Sequence, residues 1–348
     1  MMSWCFQWPV SILLGLMLLL APAFPAIAAD GDSGGSFTNL GLYWENDLLA
    51  GTDQDYTQGV KLSLSTPFVS DLPADGTLPS WSKHLFDRLP RGNAPGSAKA
   101  LSLSLGQKIF TPEDTDAASV VEDERPYAGY TFLSLGCHSR TASRNDVWQL
   151  NAGVVGPLSL AEEVQDALHG LTGTSKAEGW DNQLDNEPIL EIIYESKWRW
   201  LDWRDGSGYG LDIIPHLGGR LGNAAIYANA GAEVRYGSRL PDNFGSCPIR
   251  PGCEIMPQGA ETGKPRLGWF VFASADARLI GRNIFLDGNT FEDSHSVDKK
   301  PLVADIRAGA GLSKGRFQLT YAWVLRTQEY DGQDDPQIFG SVNLSFAL

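Results

Sequence analysis

The feature that most constrains this chain is an alternation of apolar and small polar residues that recurs along almost its whole length. Leu101, Leu103 and Leu105 alternate with Ser102 and Ser104. Trp148, Leu150, Ala152 and Val154 alternate with Gln149, Asn151 and Gly153. Phe317, Leu319, Tyr321, Trp323 and Leu325 repeat the pattern, and the chain ends on Val342, Leu344, Phe346 and Leu348. A period of two places one side-chain set on each face of a strand, so these are β-strands with one apolar and one polar face. Twelve such segments can be read, at about 38–48, 56–66, 99–110, 127–138, 146–156, 188–203, 209–219, 223–236, 268–281, 301–312, 315–326 and 338–348.

Which face turns inward depends on where the chain resides. Residues 1–29 carry no charged side chain, and they hold an apolar run, Ile12 to Ala21, followed by Ala26-Ile27-Ala28-Ala29 before Asp30. That is the pattern of a secretory signal with an A-x-A cleavage site, which leaves 30–348 as one domain. No later apolar run is long enough for a membrane-spanning helix, and the mean hydropathy is −0.18. An exported chain with apolar faces rich in Leu, Trp and Tyr and small hydrophilic opposite faces reads as a transmembrane antiparallel β-barrel. An even number of strands returns both termini to the periplasmic side, and a closed barrel needs no partner to satisfy its edges, so a monomer is expected. With 42 acidic against 27 basic residues the net charge is −15, which excludes a nucleic-acid partner and suits divalent cations.

Strand parity puts the loops 47–56, 111–126 and 157–187 outside the cell. Those loops carry Asp53, Asp55, Glu113, Asp114, Asp116, Glu122, Asp123 and Glu124, either as a cation-bridging surface or as solvated rim charges. Two other segments, 67–98 and 237–267, are about thirty residues long where short periplasmic turns are expected. The first has Trp81, Leu85 and Leu89 at helical spacing. In the second, Cys247 and Cys253 flank a turn-rich CPIRPGC loop and suit a disulfide; a metal site there would lack a nearby His. Cys137 reads as a small barrel-wall residue.

One outer loop breaks the β pattern. Residues 159–171 place Leu160, Val164, Leu168 and Leu171 on one helical face, with Ser159 as a cap and Gly170 and Gly173 as terminators. Of the five histidines, His169 alone lies on this helix, on its polar side and close to Asp166. Alternation turns Tyr43, Glu45 and Asp47 inward on the first strand and Thr57, Gly59 and Lys61 inward on the second, so Asp47 and Thr57 meet near the outer rim. Asn46 has the outward parity, although at a strand end the chain can twist it back. A helix-borne His above a carboxylate suits a general base beside an oxyanion or metal site; a solvated loop histidine is the plainer alternative.

As a set, WENDLLAGTDQDYTQGVKLS (44–63), ERPYAGY (124–130), GVVGP with EEVQDALH (153–157 and 162–169) and RNIFLDGNTF (282–291) resemble the outer-membrane lipid A 3'-O-deacylase family. The resemblance runs from about residue 38 to the C-terminus. It implies a twelve-stranded barrel in the Gram-negative outer membrane with a short helix in an extracellular loop and an active site facing the outer leaflet. The implied activity is a calcium-dependent ester hydrolase that removes the 3'-linked acyloxyacyl group of lipid A. Asn46, Asp47, Thr57 and His169 match the family's catalytic positions, with Asp47 as the metal ligand. The family also uses a lysine in the loop after the third strand. Here TPEDTDAASVVEDER (111–125) has none, and Arg125 is its only cation. An arginine can contact a lipid phosphate but does not replace a proton-transferring lysine. The competing readings are another outer-membrane lipid esterase, such as a phospholipase, and a non-enzymatic porin-like barrel.

Overall fold

In the computed structural model, described over residues 37–50, 58–70, 78–172, 176–247, 249, 254 and 265–348, the alternating segments form the strands expected of them. They are β1 (Asn39–Asn46), β2 (Gln58–Ser65), β3 (Ala98–Phe110), β4 (Ala128–Arg140), β5 (Arg144–Val155), β6 (Glu187–Trp198), β7 (Leu201–Arg204), β8 (Tyr209–Gly222), β9 (Ala225–Ser238), β10 (Leu267–Asn283), β11 (Leu302–Lys314), β12 (Phe317–Arg326) and β13 (Gln337–Ala347). Sequence neighbours pair antiparallel, β13 closes onto β1, and β6 and β7 both pair with β8. β6 and β7 are therefore one barrel strand interrupted at Arg199–Trp200, and the wall has twelve strands. The signal-like residues 1–29 lie outside the described residues.

The apolar faces point outward. Leu133, Leu150, Leu190, Leu217, Leu221, Leu279, Leu302 and Ile306 are all exposed, as befits side chains whose solvent is lipid. Tyr209, Tyr236 and Trp269 group at the periplasmic end, with ring centroids 6.2–6.4 Å apart, where an aromatic girdle belongs. No described helix is long and apolar enough to cross a membrane.

The inward faces fill the lumen. Arg235 donates to Asp212 at 2.9 and 2.6 Å, and Arg326 donates to Asp305 at 2.8 Å. Each charge satisfies its partner, because an unpaired ion in this interior would carry a large desolvation cost. The long segment after β9 contributes to the filling. Ile249 N–H donates to Glu45 at 2.6 Å, and Lys108 Nζ donates to the Ile249 carbonyl at 2.9 Å. Lys61 reaches Glu254 at 3.3 Å. A periplasmic turn was expected here; instead part of this segment folds into the barrel. Cys247, buried against Tyr43 and Ile249, is disulfide-bonded, while Cys253 lies outside the described residues.

At the outer end, RNIFLDGNTF forms a plug. Asn283 caps a single helical turn, Ile284–Asp287, whose Phe285 stacks on Phe110 at 4.1 Å. The other long segment carries the helix that Trp81, Leu85 and Leu89 foreshadow, Ser80–Arg88. It lies against the outside of the wall at the periplasmic end, with Phe86 buried beside Leu101 and Cys137.

Candidate active site at the outer lip of the barrel wall

The strand registers place four residues in one row across the outward face at its outer edge. Asn46 is opposite Gln58, Gln58 opposite Ile109, and Ile109 opposite Gly129. All belong to the same face as the lipid-facing residues below them. Even so, Asn46, Gln58 and Ile109 are buried, because the chain folds back over the lip on both sides of the row.

On one side the chain leaving β1 makes a 3-10 turn, Asp47–Leu49, closed by Ala50 N–H donating to the Asp47 carbonyl at 2.8 Å. The turn rolls outward. Leu49 packs with Leu42, Trp44 and Val60, and its carbonyl accepts from the Tyr321 hydroxyl at 3.1 Å. Gly340, opposite Asn46 on β13, makes room, since a Cβ there would lie 2.4 Å from Leu49 Cβ. Asp47 is thus carried to the lip as a buried carboxylate, 1% exposed.

On the other side the loop helix, Ala161–Thr172, lies on the outside of the wall. Its seat is Gly129, where an added Cβ would fall 2.1 Å from Ser159 Oγ and 2.2 Å from Ala161 Cβ. The Ser159 carbonyl accepts from Gln107 at 2.8 Å and Thr131 at 2.7 Å, two polar residues on the otherwise apolar face. Val164 then packs with Ile109, Tyr127 and Trp180, and Trp180 donates to Gln165 at 2.7 Å. Burial pushes the Tyr127 phenol up to about 12, so it remains a hydroxyl beneath the helix.

Three expectations for this helix change. Ser159 belongs to a preceding 3-10 turn, Pro157–Ser159, and does not cap the helix. Leu160 has a φ of 58° and is exposed, so it lies off the apolar stripe. Gly170 falls within the helix, not at its end. The stripe that meets the wall is Ala161, Val164, Gln165, Leu168 and His169, all buried or half-buried. His169 is therefore on the wall side, not the solvent side, and Asp166 pairs with Lys176. The helix starts above β4 and crosses β3. At about 1.5 Å per residue His169 lies roughly 12 Å beyond Ala161, a distance that spans two to three strands at about 4.8 Å each.

The remaining candidates separate. Thr57, with Asp53 and Asp55, lies outside the described residues. Arg125 is 1% exposed, donates to Glu329 at 2.8 Å and lies between the rings of Phe110 and Tyr330. It ties two outer loops together and presents no free guanidinium to a lipid phosphate. Lys108 points into the lumen, as its parity requires. Sequence reasoning passed over Gln58, although its even number on a strand whose outward residues are Val60, Leu62 and Leu64 was the available signal.

The model of the family described as outer membrane protein LpxR matches residues 12–348. The chain belongs to that family. It is accordingly a protein of the outer membrane, and membership supports an enzyme that modifies lipid A. Among solved structures, LpxR from Salmonella typhimurium is similar with a TM-score of 0.70 at 20% identity, over 89% of this chain and 100% of that one. This likeness extends to the twelve-stranded fold. The β domain of the Bordetella autotransporter BrkA gives a TM-score of 0.42 at 8% identity over 91% of this chain and 99% of that one, too distant to bear on the site. No curated protein sequence matches the chain.

Proposed function

We propose that this LpxR-family protein is a calcium-dependent ester hydrolase that removes the 3'-linked acyloxyacyl group from lipid A of lipopolysaccharide in the outer leaflet. The observation that carries the reading is the side of the wall on which the candidate residues lie. Asn46 and Gln58 face outward at the lip, flanked by a helix whose His169 faces the wall. An acyl chain of the outer leaflet lies alongside that wall, so its ester can reach the lip without leaving the membrane.

The donors suit calcium in kind. Asp47 offers a carboxylate and Asn46 an amide oxygen, both hard and both buried. No group of three or more His, Cys, Asp or Glu side chains forms a metal site among the described residues. Backbone carbonyls and water supply the remaining ligands in this reading. Bound calcium would contribute Lewis acidity toward the ester carbonyl.

The protein's own residues perform the rest. His169 takes a proton from the attacking water and returns it to the departing sugar oxygen. Asn46 and Thr57 donate to the carbonyl oxygen as negative charge develops on it, or fix the Asp47 side chain. The rival course makes Thr57 the nucleophile with His169 as its base, and it predicts an acyl-enzyme that mass spectrometry would trap.

The test is mass spectrometry of lipid A incubated with purified protein, with calcium and with chelator, beside His169→Ala. Loss of one acyloxyacyl mass with calcium alone, reduced at least 10²-fold in the variant, is the expected result. Intact lipid A together with fatty-acid release from glycerophospholipids would replace this reading with a phospholipase.

A further inference from the structure

Beside Asn46 lie two buried N–H donors that find no acceptor among the described residues. Trp44 Nε1 and Gln58 Nε2 have no hydrogen-bond partner among the described residues, and both side chains are more than nine-tenths buried. Both point outward. Because Asn46 is opposite Gln58 and Trp44 opposite Val60, Trp44 and Gln58 are diagonal neighbours on one face. Side chains of their length reach a common group from such positions.

Orphaned buried donors cost stability, and apolar residues of similar volume would avoid that cost. Gln107, two strands from Trp44 in the same lateral row, shows the contrast. Its amide donates to both Thr131 and Ser159 and holds the helix seat. Packing explains Gln107 but leaves the donors of Trp44 and Gln58 unexplained. Trp44, Val60, Gln107 and Thr131 form the lower row, Asn46, Gln58, Ile109 and Gly129 the upper, and none of these residues is a cation. Neutral N–H donors in apolar surroundings suit a neutral acceptor that gains charge during reaction better than they suit a phosphate.

We propose that Trp44 Nε1 and Gln58 Nε2 together receive an ester carbonyl oxygen of the acyl substrate. This rests on the lipid-ester reading above and adds two substrate-binding residues to it. Gln58, in the same row as Asn46, takes the larger share as the carbonyl becomes an oxyanion. Trp44, one row deeper, orients the acyl chain against Leu42 and Val60.

The test uses the full barrel in detergent micelles with lipid A. Gln58→Met removes the amide at nearly constant volume, and Trp44→Phe removes the indole N–H. Expected are a fall in kcat of about 10²–10³ for Gln58→Met and about tenfold for Trp44→Phe, each with KM within threefold of the parent. A second readout needs no turnover. With calcium chelated and the tryptophans carrying ¹⁵N in the indole, the Trp44 signal, assigned by its loss in Trp44→Phe, should move downfield when lipid A is added. Full kcat in both variants, or a Trp44 signal that stays fixed while others report binding, would overturn the inference alone. A parent protein that neither cleaves nor binds lipid A would overturn the proposed function and this inference with it.

Discussion

Arg125 and Glu329 show how a single position can be legible in kind but not in use. A lone cation in an acidic loop invites a phosphate, yet the fold buries this one against a carboxylate from the loop before β13. Burial acts to raise the Glu329 carboxyl, but Arg326, Arg125 and Arg278 outweigh it and hold the group below the ordinary glutamate value of 4.5. A depressed folded-state value means that the stabilisation is complete above about pH 4.5 and fades as the pH falls through the lower folded value. Arg125→Met should leave Glu329 with fewer compensating charges. Thermal unfolding followed by the heat-dependent gel shift should show a lower melting temperature in the variant at pH 7, with the gap to the parent closing as the pH falls through the depressed folded-state value. Alternation did foretell which way Trp44 and Glu45 point. It did not foretell that Glu45 would grip Ile249, because that partner is about two hundred residues away in a segment with no periodicity to read.

At the scale of the element, the loop helix matters through where it is seated. Its existence was plain from spacing, whereas its contact face was not. Leu160 looked like the start of an apolar stripe, but a turn with positive φ precedes the helix and rotates that residue out. His169 then falls on the wall-facing stripe, two turns beyond Ala161. Gly129 is the hinge of this arrangement, since only a residue without Cβ lets Ser159 and Ala161 approach β4 so closely. Gly129→Val should therefore lift the helix while β4 keeps its ladder. The expected outcome is a barrel that still resists trypsin and migrates as folded, with ester hydrolysis reduced at least 10²-fold. Wild-type activity in this variant would mean that the helix position does not matter to the chemistry.

For the molecule as a whole, the twelve strands were readable because lipid outside and polar residues inside impose the same period on every segment. The lumen was not readable. Its filling depends on pairs such as Arg235 with Asp212 and on a periplasmic segment that enters the barrel, neither of which leaves a local pattern. A filled lumen also disfavours a porin. The proposed function requires that the candidate residues meet on the membrane-facing wall at the outer lip. Disulfide trapping tests it most directly, with His169→Cys paired in turn with Gln58→Cys, whose side chain faces outward, and with Gly59→Cys, whose side chain faces the lumen. Mild oxidation is expected to join the 58–169 pair, read as a gel shift reversed by reductant, and to leave the 59–169 pair open. Efficient trapping of the 59–169 pair, with none at 58–169, would place the helix histidine over the lumen and contradict it.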